Sequence, residues 1–102
     1  MSVAAVMAGD DAPSGPVQAL GMVPVGFKGR IRAVRARGDE HGLPAAELER
    51  QLIELGFVEG ARVEVLHQGL FGRDPIAVRV HETMVALRRR EAAAILVEPG
   101  EE

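Results

Sequence analysis

Few side chains in this sequence could act as a catalytic nucleophile. The hydroxyl-bearing residues are Ser2, Ser14 and Thr83, the chain contains no cysteine and no tyrosine, and Lys28 is its one lysine. Covalent catalysis needs a nucleophile, an adjacent base and a third group that orients the base. The sequence offers no convincing set of this kind. It therefore favours a protein without catalytic activity and without a cofactor.

A metal site is the second kind of chemistry to consider. Asp39, Glu40 and His41 are adjacent, and His67 and His81 are the other histidines. A metal site needs several such ligands to converge, and no metal-ligand spacing links these residues. Acidic residues are also expected just before a helix begins. We predict no resident metal, with Asp39, Glu40 and His41 as the weak candidates.

A basic segment could contact phosphate groups or acidic protein surfaces. Its cationic residues are Lys28, Arg30, Arg32, Arg35 and Arg37, with no acidic residue among them. Proteins that bind single-stranded nucleic acid usually add aromatic side chains on which bases stack, and this chain has neither Trp nor Tyr. Charged side chains also keep an exposed strand soluble. We expect no nucleic acid partner, but a small nucleic-acid-binding barrel that uses residues 28–37 stays open as an alternative.

Length and composition indicate one domain. The chain has 102 residues and a net charge of −3. Residues 1–16 are rich in Ala, Gly, Asp and Pro without periodicity, which predicts a flexible extension; residues 17–98 form the predicted domain, and 99–102 a flexible tail. The absence of cysteine and of a membrane-spanning segment favours a cytoplasmic protein.

Alternation of apolar and polar residues predicts five short strands. The alternating segments are "GFKGRIRAV", "ARVEVLH", "IAVRVH", "TMVAL" and "AILVE". Their connections are mostly too short for parallel crossovers, and "RREAAA" can form a helical turn before the last strand. The sequence therefore predicts a mainly β protein, a small and partly open antiparallel barrel with one inserted helix.

The inserted helix is predicted in "PAAELERQLIELG". Pro44 fits the first helical position, and Leu48, Leu52 and Leu55 fall on one face. Gly56 fits the left-handed position that ends a helix. The next residue, Phe57, can fold back onto the last turn, and Gly60 is expected to take a positive φ in a tight turn.

The segment "GLFGRDP" is predicted to be a loop between two strands. Leu70 and Phe71 are large apolar residues flanked by Gly69 and Gly72. In one interpretation Leu70 belongs to the core and Phe71 covers it. In the other interpretation the loop presents Phe71 to a partner.

The ordered series of motifs resembles the FeoA family, small cytosolic proteins that accompany the bacterial ferrous iron transporter FeoB. The matching motifs are Leu55-Gly56-Phe57, the apolar pair at 70–71, Asp74-Pro75-Ile76, the alternating strand at 78–80, and the Leu-Arg-Arg step at 87–89 followed by Glu91-Ala92. The sequence departs from the family pattern at Arg73, at Glu59 and at the pair His81-Glu82. These departures affect the expected geometry of the loops more than the expected fold.

The resemblance implies an SH3-like barrel with no activity of its own, which supports ferrous iron uptake by binding the GTPase-bearing cytosolic region of FeoB. It implies no direct membrane insertion, and weak self-association is kept open. A metal-sensing or metal-carrying module is a further alternative. We expect the partner to contact the helix and its exit, the predicted loop and the basic strand, at Leu52, Leu55, Phe57, Leu70, Phe71, Arg73, Arg30 and Arg32.

Overall fold

The fold was analysed in a computed structural model that describes residues 16–36 and 44–100. Within them the chain forms six strands, one short 3-10 helix and two α-helices. In chain order these are β1 (Gln18–Ala19), the 3-10 helix (Leu20–Met22), β2 (Lys28–Val34), α1 (Ala45–Glu54), β3 (Arg62–Phe71), β4 (Asp74–Val80), β5 (Thr83–Leu87), α2 (Arg89–Ala92) and β6 (Ile95–Pro99).

All six strands belong to one antiparallel sheet with the order β1-β6-β2-β3-β4-β5. This mainly β architecture, with one inserted helix and a helical turn before the last strand, confirms the predicted fold class. The sixth strand, β1, has only two residues. A segment of that length cannot show alternation, so the sequence pattern gave no sign of it. β1 and β5 are the end strands, and the described residues show no pairing between them.

The core is almost entirely aliphatic. In β4, Ile76, Val78 and Val80 are fully buried, while the residues between them are partly or largely exposed. This pattern confirms the period-two prediction. The only buried aromatic side chain among the described residues is Phe57.

Helix α1 begins one residue later than expected. Pro44 is not the first helical residue but the residue before it, with φ −58° and ψ 148°. Its carbonyl accepts hydrogen bonds from the backbone N–H groups of Glu47 and Leu48. The prediction for Leu55 was also wrong: Leu48 and Leu52 are buried, whereas Leu55 follows the helix and is 45% exposed.

The helix ends as its glycine predicts. Gly56 has φ 111°, the N–H of Gly56 donates to the carbonyl of Ile53, and the N–H of Phe57 donates to that of Leu52. These two bonds form a Schellman motif, which a left-handed glycine allows. The motif directs the Phe57 side chain into the core. Gly60 has φ 89°, as predicted for the turn before β3.

The predicted loop "GLFGRDP" is mostly strand, which corrects the sequence interpretation. β3 continues to Phe71 and β4 begins at Asp74, leaving a turn of two residues. The pairing of β3 with β4 has two register shifts, one between Val65 and His67 and one between Gln68 and Phe71. Such irregularities allow a strand to contain residues that favour loops. Pro75 falls between the paired positions Phe71–Asp74 and Gln68–Ile76, so its missing N–H removes no hydrogen bond from the ladder.

Candidate partner-binding surface

The end of the β3–β4 hairpin carries the most exposed large apolar side chain among the described residues. Leu70 is 92% exposed, so the interpretation that places it in the core is wrong. The turn that follows is formed by Gly72 and Arg73, with φ values of 70° and 62°. A β-carbon on Gly69 would collide with the carbonyl oxygen of Asp74, so the two strands approach closely at this point.

A single arginine fixes the position of this hairpin. The Arg89 guanidinium donates hydrogen bonds to the carbonyls of Arg73, Gly21 and Val23 at 2.9, 3.1 and 2.9 Å, and to Oε1 of Gln68 at 3.0 Å. The Arg89 backbone N–H also donates to the Asp74 carboxylate at 2.7 Å. Arg89 therefore links the segment after β1, both strands of the hairpin and the start of α2. Its planar fork of five donors suits this role.

The exit of α1 separates buried residues from exposed ones. Leu52 and Phe57, both expected to contact a partner, are 2% and 0% exposed. They belong to the core and cannot contact a partner directly in this conformation. The exposed apolar residues at this exit are Ile53 at 47%, Leu55 at 45% and Val58 at 38%.

An open groove of about 580 Å³ lies beside this exit. Its apolar walls include Ile53, Val58 and Leu96. Two basic residues also line the groove: Arg32 of β2 and Arg35, which follows β2. The structure therefore places the helix exit and one end of the basic strand on the same surface.

The basic residues of β2 face solvent, as alternation predicts, but acidic residues lie among them. Lys28, Arg30 and Arg32 are exposed. Arg32 forms an ion pair with Glu98 of β6 at 2.8 Å, and the hydrogen bond and charge of Glu98 raise the pKa of Arg32. Glu64 of β3 pairs in register with Lys28. These acidic residues reduce the positive potential that a nucleic acid would need.

The hairpin end and the helix exit lie at opposite ends of β4. Gly56 lies near His81, because a β-carbon at Gly56 would come within 3.2 Å of the His81 ring. His81 follows the last residue of β4, whereas the hairpin turn precedes the first residue, Asp74. Six residue steps along a strand span about 20 Å. The exposed residues of the hairpin end and those of the helix exit therefore form two separate surfaces.

Metal ligands do not cluster in residues 16–36 or 44–100: no group of three or more His, Asp or Glu side chains there could hold an ion. The weak candidates Asp39, Glu40 and His41 lie outside the described residues. In the described parts of the chain, no helix is long and apolar enough to cross a membrane.

The fold and these surfaces define a small SH3-like β domain with exposed contact features. The FeoA domain model matches residues 18–99, and the chain belongs to the FeoA family. The expected SH3-like fold is confirmed by similarity to FeoA from Stenotrophomonas maltophilia, solved with zinc and described as a prokaryotic SH3 domain protein. That protein is 32% identical, with a TM-score of 0.65, over 79% of this chain and 89% of the other.

Two further solved structures extend the comparison. FeoA from Chlorobium tepidum is 30% identical, with a TM-score of 0.67, over 83% of this chain and 74% of the other. A manganese-dependent transcriptional repressor, at 23% identity and a TM-score of 0.66, matches 85% of this chain over 44% of its own length and shows the fold alone. A comparison of the sequence with curated proteins finds no match.

Proposed function

We propose that this protein is a non-enzymatic accessory of ferrous iron uptake that binds the cytosolic, GTPase-bearing region of a FeoB-type transporter. The observation that carries this proposal is the FeoA domain match over residues 18–99. The proposed site of action is the cytoplasm, at the membrane through the transporter.

Exposure and rigidity support the hairpin end as the main contact. Leu70 is 92% exposed, and the Arg89 guanidinium donates two hydrogen bonds to the hairpin that carries it and two to the segment after β1. Interfaces gain most from a few apolar anchors that become fully desolvated, and a preformed anchor loses little conformational entropy on binding. Burying a leucine side chain contributes about 1.5–3 kcal/mol. The exposed Arg73 beside it can pair with a carboxylate of the partner.

The helix exit provides a second and weaker contact. Ile53, Leu55 and Val58 are each only partly exposed, and Arg32 on the same groove already pairs with Glu98. A partner would gain less apolar burial per residue here than at Leu70. The groove is about 20 Å from the hairpin end, so one transporter domain would have to span both sites to use them together.

Isothermal titration calorimetry with the purified cytosolic region of the cognate transporter tests the proposal. The titration is done without nucleotide, with GDP and with a non-hydrolysable GTP analogue. We expect binding in at least one state, and Leu70→Ser should weaken it about tenfold or more because the apolar anchor is lost. Val25→Ser is the control, because Val25 is 42% exposed in the turn before β2 and belongs to neither proposed contact.

Two results would contradict the proposal. Absence of binding in every nucleotide state, with normal ferrous iron uptake in a deletion strain, removes the function. Equal binding by the wild type and Leu70→Ser, with loss on Leu55→Ser, moves the contact to the helix exit instead.

A further inference from the structure

In the part of the chain that the structure describes, one end strand of the sheet lacks the features that usually protect an edge. β5 has five residues, Thr83–Leu87, and none of them is charged or proline. Exposed edge strands are usually short, or carry charges or proline, because their free N–H and C=O groups pair readily with other chains. The strand at the other end of the sheet, β1, has only two residues. β5 is therefore the edge that is suited to pairing.

The pairing of β5 with β4 shows which backbone groups face outward. Val80 and Thr83 close a two-residue turn, and the register continues with Val78 opposite Val85. Hydrogen-bonded and non-bonded pairs alternate in an antiparallel ladder. The N–H and C=O groups of Thr83, Val85 and Leu87 therefore point to β4. Those of Met84 and Ala86 point away from the sheet.

We propose that two copies of this chain associate through β5, antiparallel, about a two-fold axis at Val85. In this register Met84 of each copy lies opposite Ala86 of the other. The two-fold axis creates this Met84–Ala86 pair twice. Because the backbone groups of both residues face outward, each pair exchanges two hydrogen bonds. The four bonds join the two sheets into one, and a two-fold axis requires such self-complementarity.

The charges that flank β5 support a second copy as the occupant. Glu82 lies three residues before Val85, and Arg88 lies three residues after it; both are exposed. In the proposed register Glu82 of one copy therefore lies opposite Arg88 of the other, at both ends of the paired segment. Opposite charges placed directly across two strands stabilise the pairing, and like charges oppose it.

The side chains fit the same arrangement. Met84, which is 57% exposed on the outer face, would cover Ala86 of the second copy. Val85 is partly buried against the core, and on the inner face it would lie opposite Val85 of the second copy. The interface is small, and we expect an association that is weak and dependent on concentration.

Charge exchange at Glu82 and Arg88 tests the register. Sedimentation velocity at low ionic strength, with protein from about 10 μM to 1 mM, measures the dimer constant. Glu82→Arg alone and Arg88→Glu alone should each weaken association about tenfold, since two exposed ion pairs become two repulsive pairs. An equimolar mixture of the two variants should form heterodimers, and the double variant should restore the wild-type constant. Circular dichroism and thermal unfolding check that each variant is folded.

Backbone hydrogen exchange locates the interface. We expect exchange of the Met84 and Ala86 amides to slow as the protein concentration rises, while the amide of exposed Val25 on a separate turn stays unchanged. A wild type that is monomeric at 1 mM overturns the proposal. Single variants that associate as the wild type does, or a dimer without protection at Met84 and Ala86, also overturn it.

Discussion

Replacement of Arg89 by methionine should destabilise the whole domain, because this side chain joins segments that are distant in sequence. Two of its hydrogen bonds go to the carbonyls of Gly21 and Val23 at 3.1 and 2.9 Å, in residues that are buried. The other two go to the carbonyl of Arg73 and the side chain of Gln68 at exposed positions. Methionine keeps much of the apolar stem but provides no donor.

The expected loss follows from these two classes of bond. Water can replace the guanidinium at the exposed acceptors, so their contribution is small. Each partly buried carbonyl that loses its donor costs about 1–1.5 kcal/mol, the low end of the range for a buried polar group left unsatisfied. The sum is about 2–3 kcal/mol, a large share of the ~5–15 kcal/mol that holds a small domain folded. The backbone N–H of residue 89 still donates to Asp74 in the variant, so the loss reports the guanidinium alone.

Urea unfolding followed by circular dichroism measures the effect. We expect a lower midpoint with an unchanged slope, and a melting temperature lower by about 10–20 °C. Arg79→Met is the matched control, because Arg79 is exposed on β4, and we expect a change of at most ~0.5 kcal/mol there. Equal stabilities for Arg89→Met and Arg79→Met would refute the reasoning.

Two further substitutions, each with a matched control, follow from burial and close backbone approach. Gly29→Ala should destabilise by about 2 kcal/mol or more, because the new β-carbon collides with the Glu98 carbonyl oxygen and one strand must shift. Gly100→Ala, where a β-carbon would meet no non-adjacent atom of the described residues within 4 Å, should change stability by at most ~0.5 kcal/mol in the same urea assay. Leu52→Ala should cost about 2–5 kcal/mol because Leu52 is 2% exposed, whereas Leu55→Ala, at 45% exposure, should cost less than about 1 kcal/mol. Similar losses for the two leucines would show that both contribute to the core.

Local patterns predicted most elements of the fold. Alternation identified the buried face of β4, and Gly56 predicted the end of α1, because each depends on residues close together in sequence. The length of the β3–β4 hairpin was not predictable in this way. Gly69 and Pro75 favour a loop by composition, and only the partner strand decides that the ladder can accommodate them.

The candidate surfaces were also only partly predictable from local sequence. Helical periodicity placed Leu52 and Leu55 together, but the helix ends between them and the turn carries Leu55 toward solvent. The basic stripe of β2 is visible in the sequence. The acidic residues that lie among its charges, Glu64 and Glu98, come from other strands that become neighbours only in the folded sheet.

By itself the sequence determined the mainly β class, the inserted helix, the absence of cysteine chemistry and the resemblance to the FeoA family. These properties follow from residue types and short-range spacing. Tertiary structure alone decided that Leu70 is exposed, that Arg89 joins three segments and that β5 is an end strand of the sheet in the described residues. Exposure and edge position depend on which strands become neighbours, and those contacts join residues that are far apart in the chain.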